Sequence, residues 1–217
     1  MAGTFEDGLV AAGRGDYAAA LLFWRPLAEQ GNSSAQNNIG YMFQRGEGVS
    51  TSPVEAVKWW RIAAENGLAD AQNNLGISYS EGYGVAHNLR EAVRWYRLAA
   101  DQGHPMAQSN LGASYGAGSG VKQDWVESTY WYRLSAEQGE AFGLSNLGVA
   151  YANGHGVSQD FVQAYKWYTL AAFAFSKISD RLGLERALSN RSMVERAMTP
   201  VQISAGQDLA TGWKPRR

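Results

Sequence analysis

The sequence contains no cysteine, which excludes disulfides, thiolate metal sites and cysteine nucleophiles, and leaves the redox character of the compartment open. It has no excess of charge either. A formal net charge of -1 provides no electrostatic footprint for nucleic acid or an anionic membrane. No apolar run approaches the roughly 18 residues that a membrane span needs. Residues 1–25 lack the basic and apolar segments of a signal peptide. A cytoplasmic location is expected if the chain is complete, and a periplasmic or secreted one if a leader preceding Met1-Ala2-Gly3 has been trimmed. Histidine is scarce, and His87, His104 and His155 fall in different columns of the repeat with no convergent carboxylate set, so no metal and no cofactor are expected.

What is present is glycine, with 25 residues, alongside 8 Trp and 11 Tyr. Small and bulky residues together suggest close backbone contact beside large packed rings, and they recur. Trp59, Trp95, Trp131 and Trp167 are spaced 36 apart, and Trp24 extends the series backwards. Gly40, Gly76, Gly112 and Gly148 keep the same interval, as do Leu75, Leu111 and Leu147, with Ile39 in the first register. A fixed period of this length marks a repeat array. The expected organisation is a single repeat domain over 1–217. It comprises a partial unit at 5–33, full units at 34–69, 70–105, 106–141 and 142–177, and a divergent helical cap at 178–217.

Each unit reads as two helices. In the second, Ala56, Trp59, Trp60, Ala63 and Ala64 fall at i, i+3, i+4, i+7 and i+8, one apolar stripe on a 3.6-residue period. Asp16, Ser52, Asn88, Asp124 and Asp160 stand at its start as N-caps. Glu55, Glu91, Glu127 and Gln163, three positions on, are expected to complete capping boxes in the full units. Gly31, Gly67, Gly103 and Gly139 stop the helix. In the first helix, a glycine at mid-length costs roughly 0.5–1 kcal/mol against alanine. Its fourfold repetition implies a neighbouring helix packed too close for a side chain. Burying about 150–250 Å² of ring makes the Trp and Tyr stripes core. The paired glycines 46/48, 82/84, 118/120 and 154/156 lie between the helices. No strand precedes them and no Lys-Ser/Thr pair closes them, so they read as hinges and carry no phosphate loop.

Residues 71–103 read A-x-x-N-L-G-x-x-Y-x-x-G-x-G-V, a capped turn, then E-A-x-x-W-Y-R-x-A-A-x-x-G, a pattern that resembles the Sel-1-like repeat, a relative of the tetratricopeptide repeat. The resemblance implies an all-α protein, a right-handed α-solenoid of stacked antiparallel helix pairs, and a non-catalytic scaffold or adaptor that binds another protein or peptide. It also implies a helix at Thr199-Pro200 that closes the array, since an end repeat would otherwise expose its stacking face. The last full unit departs from the pattern, with Phe173 to Lys177 in place of the glycine stop.

In the related tetratricopeptide arrays the first helices line a concave groove. The corresponding columns are Asn38, Asn74, Asn110 and Asn146, and beside them Asn37, Asn73, Ser109 and Ser145. A carboxamide offers two donors and an acceptor to an extended chain; the same groups also suit bracing between helices. The columns Tyr41, Ile77, Ala113, Val149 and Arg45, Glu81, Ala117, Asn153 vary, and are expected to set specificity. The expected contact set is Asn37, Asn38, Tyr41, Arg45, Asn73, Asn74, Ile77, Glu81, Asn110 and Asn146, with a monomer favoured. A toxin-neutralising immunity protein is an alternative of the same binding class. A penicillin-binding hydrolase is a weaker one, because Ser119-Gly120-Val121-Lys122 is formally S-x-x-K but falls in a loop.

Overall fold

The computed structural model describes residues 4–216; Met1 to Gly3, the point bearing on a trimmed leader, lie outside the described residues. Among the described residues there are twelve α-helices and no strand. They group into two compact units, one ending at Gln102 and the other beginning at Gly103. The first holds α1 (Phe5–Gly13), α2 (Tyr17–Glu29), α3 (Ser33–Arg45), α4 (Pro53–Glu65), α5 (Ala69–Glu81) and α6 (Leu89–Asp101). The second holds α7 (Pro105–Ala117), α8 (Trp125–Glu137), α9 (Ala141–Asn153), α10 (Phe161–Lys177), α11 (Arg181–Glu195) and α12 (Pro200–Thr211). Within each unit, consecutive helices as far as α10 pack as pairs, and each pair packs on the next; α11 and α12 both pack on α10.

The mid-helix glycines explain how a pair closes. A Cβ built on Gly40 would stand 2.4 Å from Trp60 Nε1, and on Gly76, Gly112 and Gly148 within 2.7 Å of the rings of Tyr96, Tyr132 and Tyr168. The close neighbour is thus mainly an aromatic ring carried by the second helix, where the spacing had suggested the helix itself. Gly8 meets Trp24 in the same way at 2.1 Å. This corrects one register assignment: Trp24 belongs with Trp60, Tyr96, Tyr132 and Tyr168, and Phe23 is the counterpart of Trp59, Trp95, Trp131 and Trp167. Trp24 stands 36 residues before Trp60 and 35 before Trp59, so α2 keeps the period; the short link 14–16, against 46–52, displaces only Gly8 in the first helix. The indoles of Trp24 and Trp60 donate to Phe5 O (3.1 Å) and Asn37 O (3.3 Å), so each large ring is buried with its N–H satisfied.

All five expected N-caps of the second helices accept a backbone N–H from the first turn. The expected capping boxes do not close there. The backbone N–H groups of Ser52, Asn88, Asp124 and Asp160 already donate to Phe43, Tyr79, Tyr115 and Tyr151 carbonyls at 2.9–3.0 Å, so no donor is left for the third-position side chain. Glu55 turns to Lys58, Glu91 to Arg94 and Glu127 to the Trp131 indole. Closed boxes form at Thr4–Asp7 and Thr199–Gln202.

In the inter-helix loops, Gly82 caps α5 with φ +71°. Gly84 (φ +66°) has a second role, because a Cβ there would stand 2.1 Å from Pro53 O at the start of the preceding repeat's second helix. The loop therefore turns the chain and docks one repeat on the previous one. Gly156 meets Trp125 O at the same 2.1 Å.

Beyond the periodic part, α10 runs to 17 residues where α9 has 13, and Ser179 (φ +58°) supplies the left-handed stop in place of glycine. Two helices follow, α11 as well as the expected one at Pro200. Both repeat the glycine–aromatic contact: Gly183 lies under Phe175 and Gly206 under Tyr165. The chain then folds back, with Trp213 edge-on to Trp167 at 6.1 Å and Arg216 N–H donating to Glu137 O at 2.7 Å. That places polar and aromatic cover over the last stacking face.

Candidate functional site

In the first unit the expected groove residues come from α3 and α5, and they divide by accessibility. Asn37 and Asn73 are buried, at 6% and 3% exposure, and Asn74 is at 9%. Asn74 Nδ2 donates to Asn37 Oδ1 (3.1 Å), and the Tyr41 hydroxyl donates to Asn74 Oδ1 (3.1 Å). These carboxamides hold neighbouring first helices together, as buried polar groups must find partners. Tyr41 also sets its ring edge-on to Trp60 at 5.6 Å. Asn38 and Ile77 are half-buried, and Arg45 and Glu81 are exposed.

Asn38, Tyr41 and Arg45 converge on one cavity of about 270 Å³, shared with Leu9, Tyr17, Trp24 and Glu47. The Arg45 guanidinium lies 5.5 Å from the Tyr41 ring centroid and 3.8 Å from Glu47. This opening presents a cation, a carboxylate and a carboxamide beside aromatic walls. Glu81 ends α5 near the Tyr96 hydroxyl, which burial pushes up to about 12, so that phenol stays neutral as a donor.

In the second unit, Asn146 is half-buried and lines a cavity of about 290 Å³ with Ala113, Ala117, Val149, Trp125 and His155. Asn110 is half-buried, and its carbonyl accepts from Ser114 Oγ at 2.9 Å. A second cavity, about 490 Å³, opens on the other side of Val149, against Phe161, Tyr168 and Met193. None of the residues lining either cavity carries a formal charge. The sequence pointed to a small and neutral surface here. It did not show that the surface is indented, because the rim of the smaller cavity comes from Trp125 and His155, thirty positions apart and stacked at 4.0 Å.

The sequence reading missed a ladder of glutamines. Gln36 and Gln72 donate to Ala28 O and Ala64 O. Gln36, Gln72 and Gln108 each accept from the residue after their own repeat's second helix, Asn66, Gln102 and Gln138. The column Gln36-Gln72-Gln108 was the available signal. It breaks at Leu144, where Glu140 takes over, accepting from Gly143 N (2.6 Å), Phe142 N and Ser135 Oγ. Burial raises the Glu140 carboxyl above the ordinary carboxylate range, against those hydrogen bonds.

The remaining sequence candidates have local roles. His104 caps α7, its Nδ1 accepting from Ala107 N at 3.1 Å. Ser119 and Lys122 lie in the loop between α7 and α8, with no helix to aim the lysine at the serine. Among the described residues, no group of three or more His, Asp or Glu is placed to hold a metal ion, and no helix is long and apolar enough to cross a membrane.

Helix pairs closed by a glycine on an aromatic ring, docked through a left-handed loop and braced by carboxamides, define an α-solenoid repeat protein. The Sel1 repeat family matches at residues 33–68, 69–104, 105–140 and 141–172, more than half of the chain, and the chain belongs to that family. A Sel1 repeat protein from Oxalobacter formigenes is 31% identical, with a TM-score of 0.72 over 91% of this chain and 87% of that one. A protective antigen present in uropathogenic Escherichia coli strains, displaying an SLR fold, is also 31% identical, with a TM-score of 0.58 over 90% of this chain. This chain covers 48% of that antigen. An immunity protein from Pseudomonas aeruginosa has a TM-score of 0.54 over 98% of this chain and 88% of that one; at 14% identity the likeness is one of fold alone. No curated protein matches the chain. Sel1 repeats generally mediate protein–protein interaction.

Proposed function

We propose that this chain is a non-catalytic adaptor that holds an extended segment of a partner protein along its first-helix face. The observation that carries this reading is the convergence of Asn38, Tyr41 and Arg45 on one cavity. Asn37 and Asn74 brace the fold from below, Asn73 is buried, and Asn38, Tyr41, Arg45, Ile77 and Glu81 form the contact surface in the first unit. Asn110 and Asn146, both half-buried, serve the same purpose in the second. The segment that binds the first unit is polar, with a carboxylate for Arg45 and a cation for Glu81, since paired opposite charges give specificity and register.

The test replaces exposed residues only. Arg45→Ala with Glu81→Ala is expected to abolish co-purification of the native partner, measured by affinity capture and mass spectrometry, while the melting temperature stays unchanged. Tyr41 is left in place because its hydroxyl holds Asn74. Full retention of the partner by the double variant would overturn the reading. Nitrocefin turnover that disappears in Ser119→Ala would overturn the non-catalytic part, and no serine-dependent turnover is expected.

A further inference from the structure

The two cavities of the second unit stand in register with its repeat. One has Tyr132 among its walls, with Trp125 at its rim; the other has Tyr168, with Phe161 at its rim. Tyr132 and Tyr168 are the ring positions that pack on Gly112 and Gly148, and Trp125 and Phe161 are the first residues of α8 and α10. Val149 of α9 is the wall between them. The cavities are therefore one repeat apart, and α7 packs directly against α9. Packed helix axes lie about 8–10 Å apart.

That spacing selects a backbone. A β-strand returns a side chain to the same face every second residue, roughly 6.6–6.8 Å along, or about 13 Å after four. Polyproline II returns one every third residue at a rise of 3.1 Å, which is about 9.3 Å. Only the latter matches. The lining limits the ligand further. With no formal charge on either wall, a charged side chain entering here would lose its hydration and gain no counter-ion. The cavity beside Arg45 and Glu47 is different in this respect.

We propose that the second unit binds an uncharged polyproline-II segment of the partner, with apolar side chains at i and i+3 seated in these two cavities. The proposal rests on the groove reading above and specifies its ligand in this unit.

The probes are end-capped, fluorescein-labelled peptides on a proline host carrying two leucines at i/i+2, i/i+3 or i/i+4, or one leucine alone, titrated against the full chain by fluorescence polarisation. The i/i+3 peptide is expected to bind roughly tenfold tighter than the others, because it alone buries two leucines. Ala113→Trp and Ala197→Trp, at exposed positions on the two cavities, are each expected to reduce it to the single-leucine level; Ala117→Leu serves if Ala113→Trp does not fold. Equal affinity for all spacings, or affinity unchanged in both tryptophan variants, overturns the proposal. So does a dimer in light scattering that Ala113→Trp dissolves, which would assign the face to a second copy. A native partner still captured by both tryptophan variants but lost from the Arg45/Glu81 variant would sink this inference and leave the groove reading standing.

Discussion

Asn74 Nδ2 donates to Asn37 Oδ1 across 3.1 Å, joining α5 to α3 through two buried carboxamides. The Tyr41 hydroxyl adds a donor to the Asn74 oxygen, so one residue at a column expected to face a ligand is used up in holding adjacent repeats. Asn74→Ala is therefore expected to cost about 1–3 kcal/mol, since it strands the Asn37 oxygen and the Tyr41 hydroxyl. A double-mutant cycle with Asn37→Ala, read by urea unfolding, should give a coupling of at least about 0.5 kcal/mol. Strict additivity would show that the bond contributes nothing.

The glycine–ring contact makes an asymmetric prediction about two Gly→Ala changes. Gly40→Ala drives a methyl into the Trp60 indole, and overpacking of this kind costs about 1–3 kcal/mol. Gly13→Ala, at the end of α1 with nothing within 4 Å, should instead stabilise by about 0.4–1 kcal/mol. Thermal melts of the two variants should move in opposite directions.

Open capping boxes separate two residues that share one motif. Asn88→Ala removes the acceptor for Arg90 N and Glu91 N and should cost about 1 kcal/mol. Glu91→Ala removes an exposed pair with Arg94 and should cost no more than about 0.5 kcal/mol. Equal losses in chemical denaturation would mean that the box closes in solution.

Glu140 gives a pH dependence of known sign. Burial raises its folded pKa above the ordinary 4.5, so folding favours the protonated carboxyl. Its contribution to stability is fully present below the unfolded value and is lost as pH rises through the raised folded value. The melting temperature of Glu140→Gln relative to wild type should accordingly increase from about pH 4 to about pH 8. A difference that falls over that range would place the folded pKa below the unfolded one.

Much of this architecture was legible in the 36-residue spacing of Gly76 and Trp95. A helix returns to the same face every 3.6 residues, so a fixed period brings the same residue types to the same contacts in every repeat. The N-caps, the glycine stops and the Thr199 start depend on chemistry within a few residues, and each stands where the local sequence put it. The register of Trp24 was misread because Trp59 and Trp60 are adjacent, and the 36-residue interval from Trp24 ends on the second of them. Other features depend on groups brought together from different repeats. A carboxamide at position 74 suits a ligand and a brace equally well. The choice is made by Asn37 and Tyr41 of the preceding repeat, whose atoms come within 3.1 Å of it. Likewise the capping boxes stay open because distant carbonyls reach the N-cap amides first, and one of the two cavities in the neutral face is rimmed by Trp125 stacked on His155. Spacing along the chain sets which side each residue faces, whereas hydrogen bonds and cavities depend on distances across helices to within a fraction of an ångström.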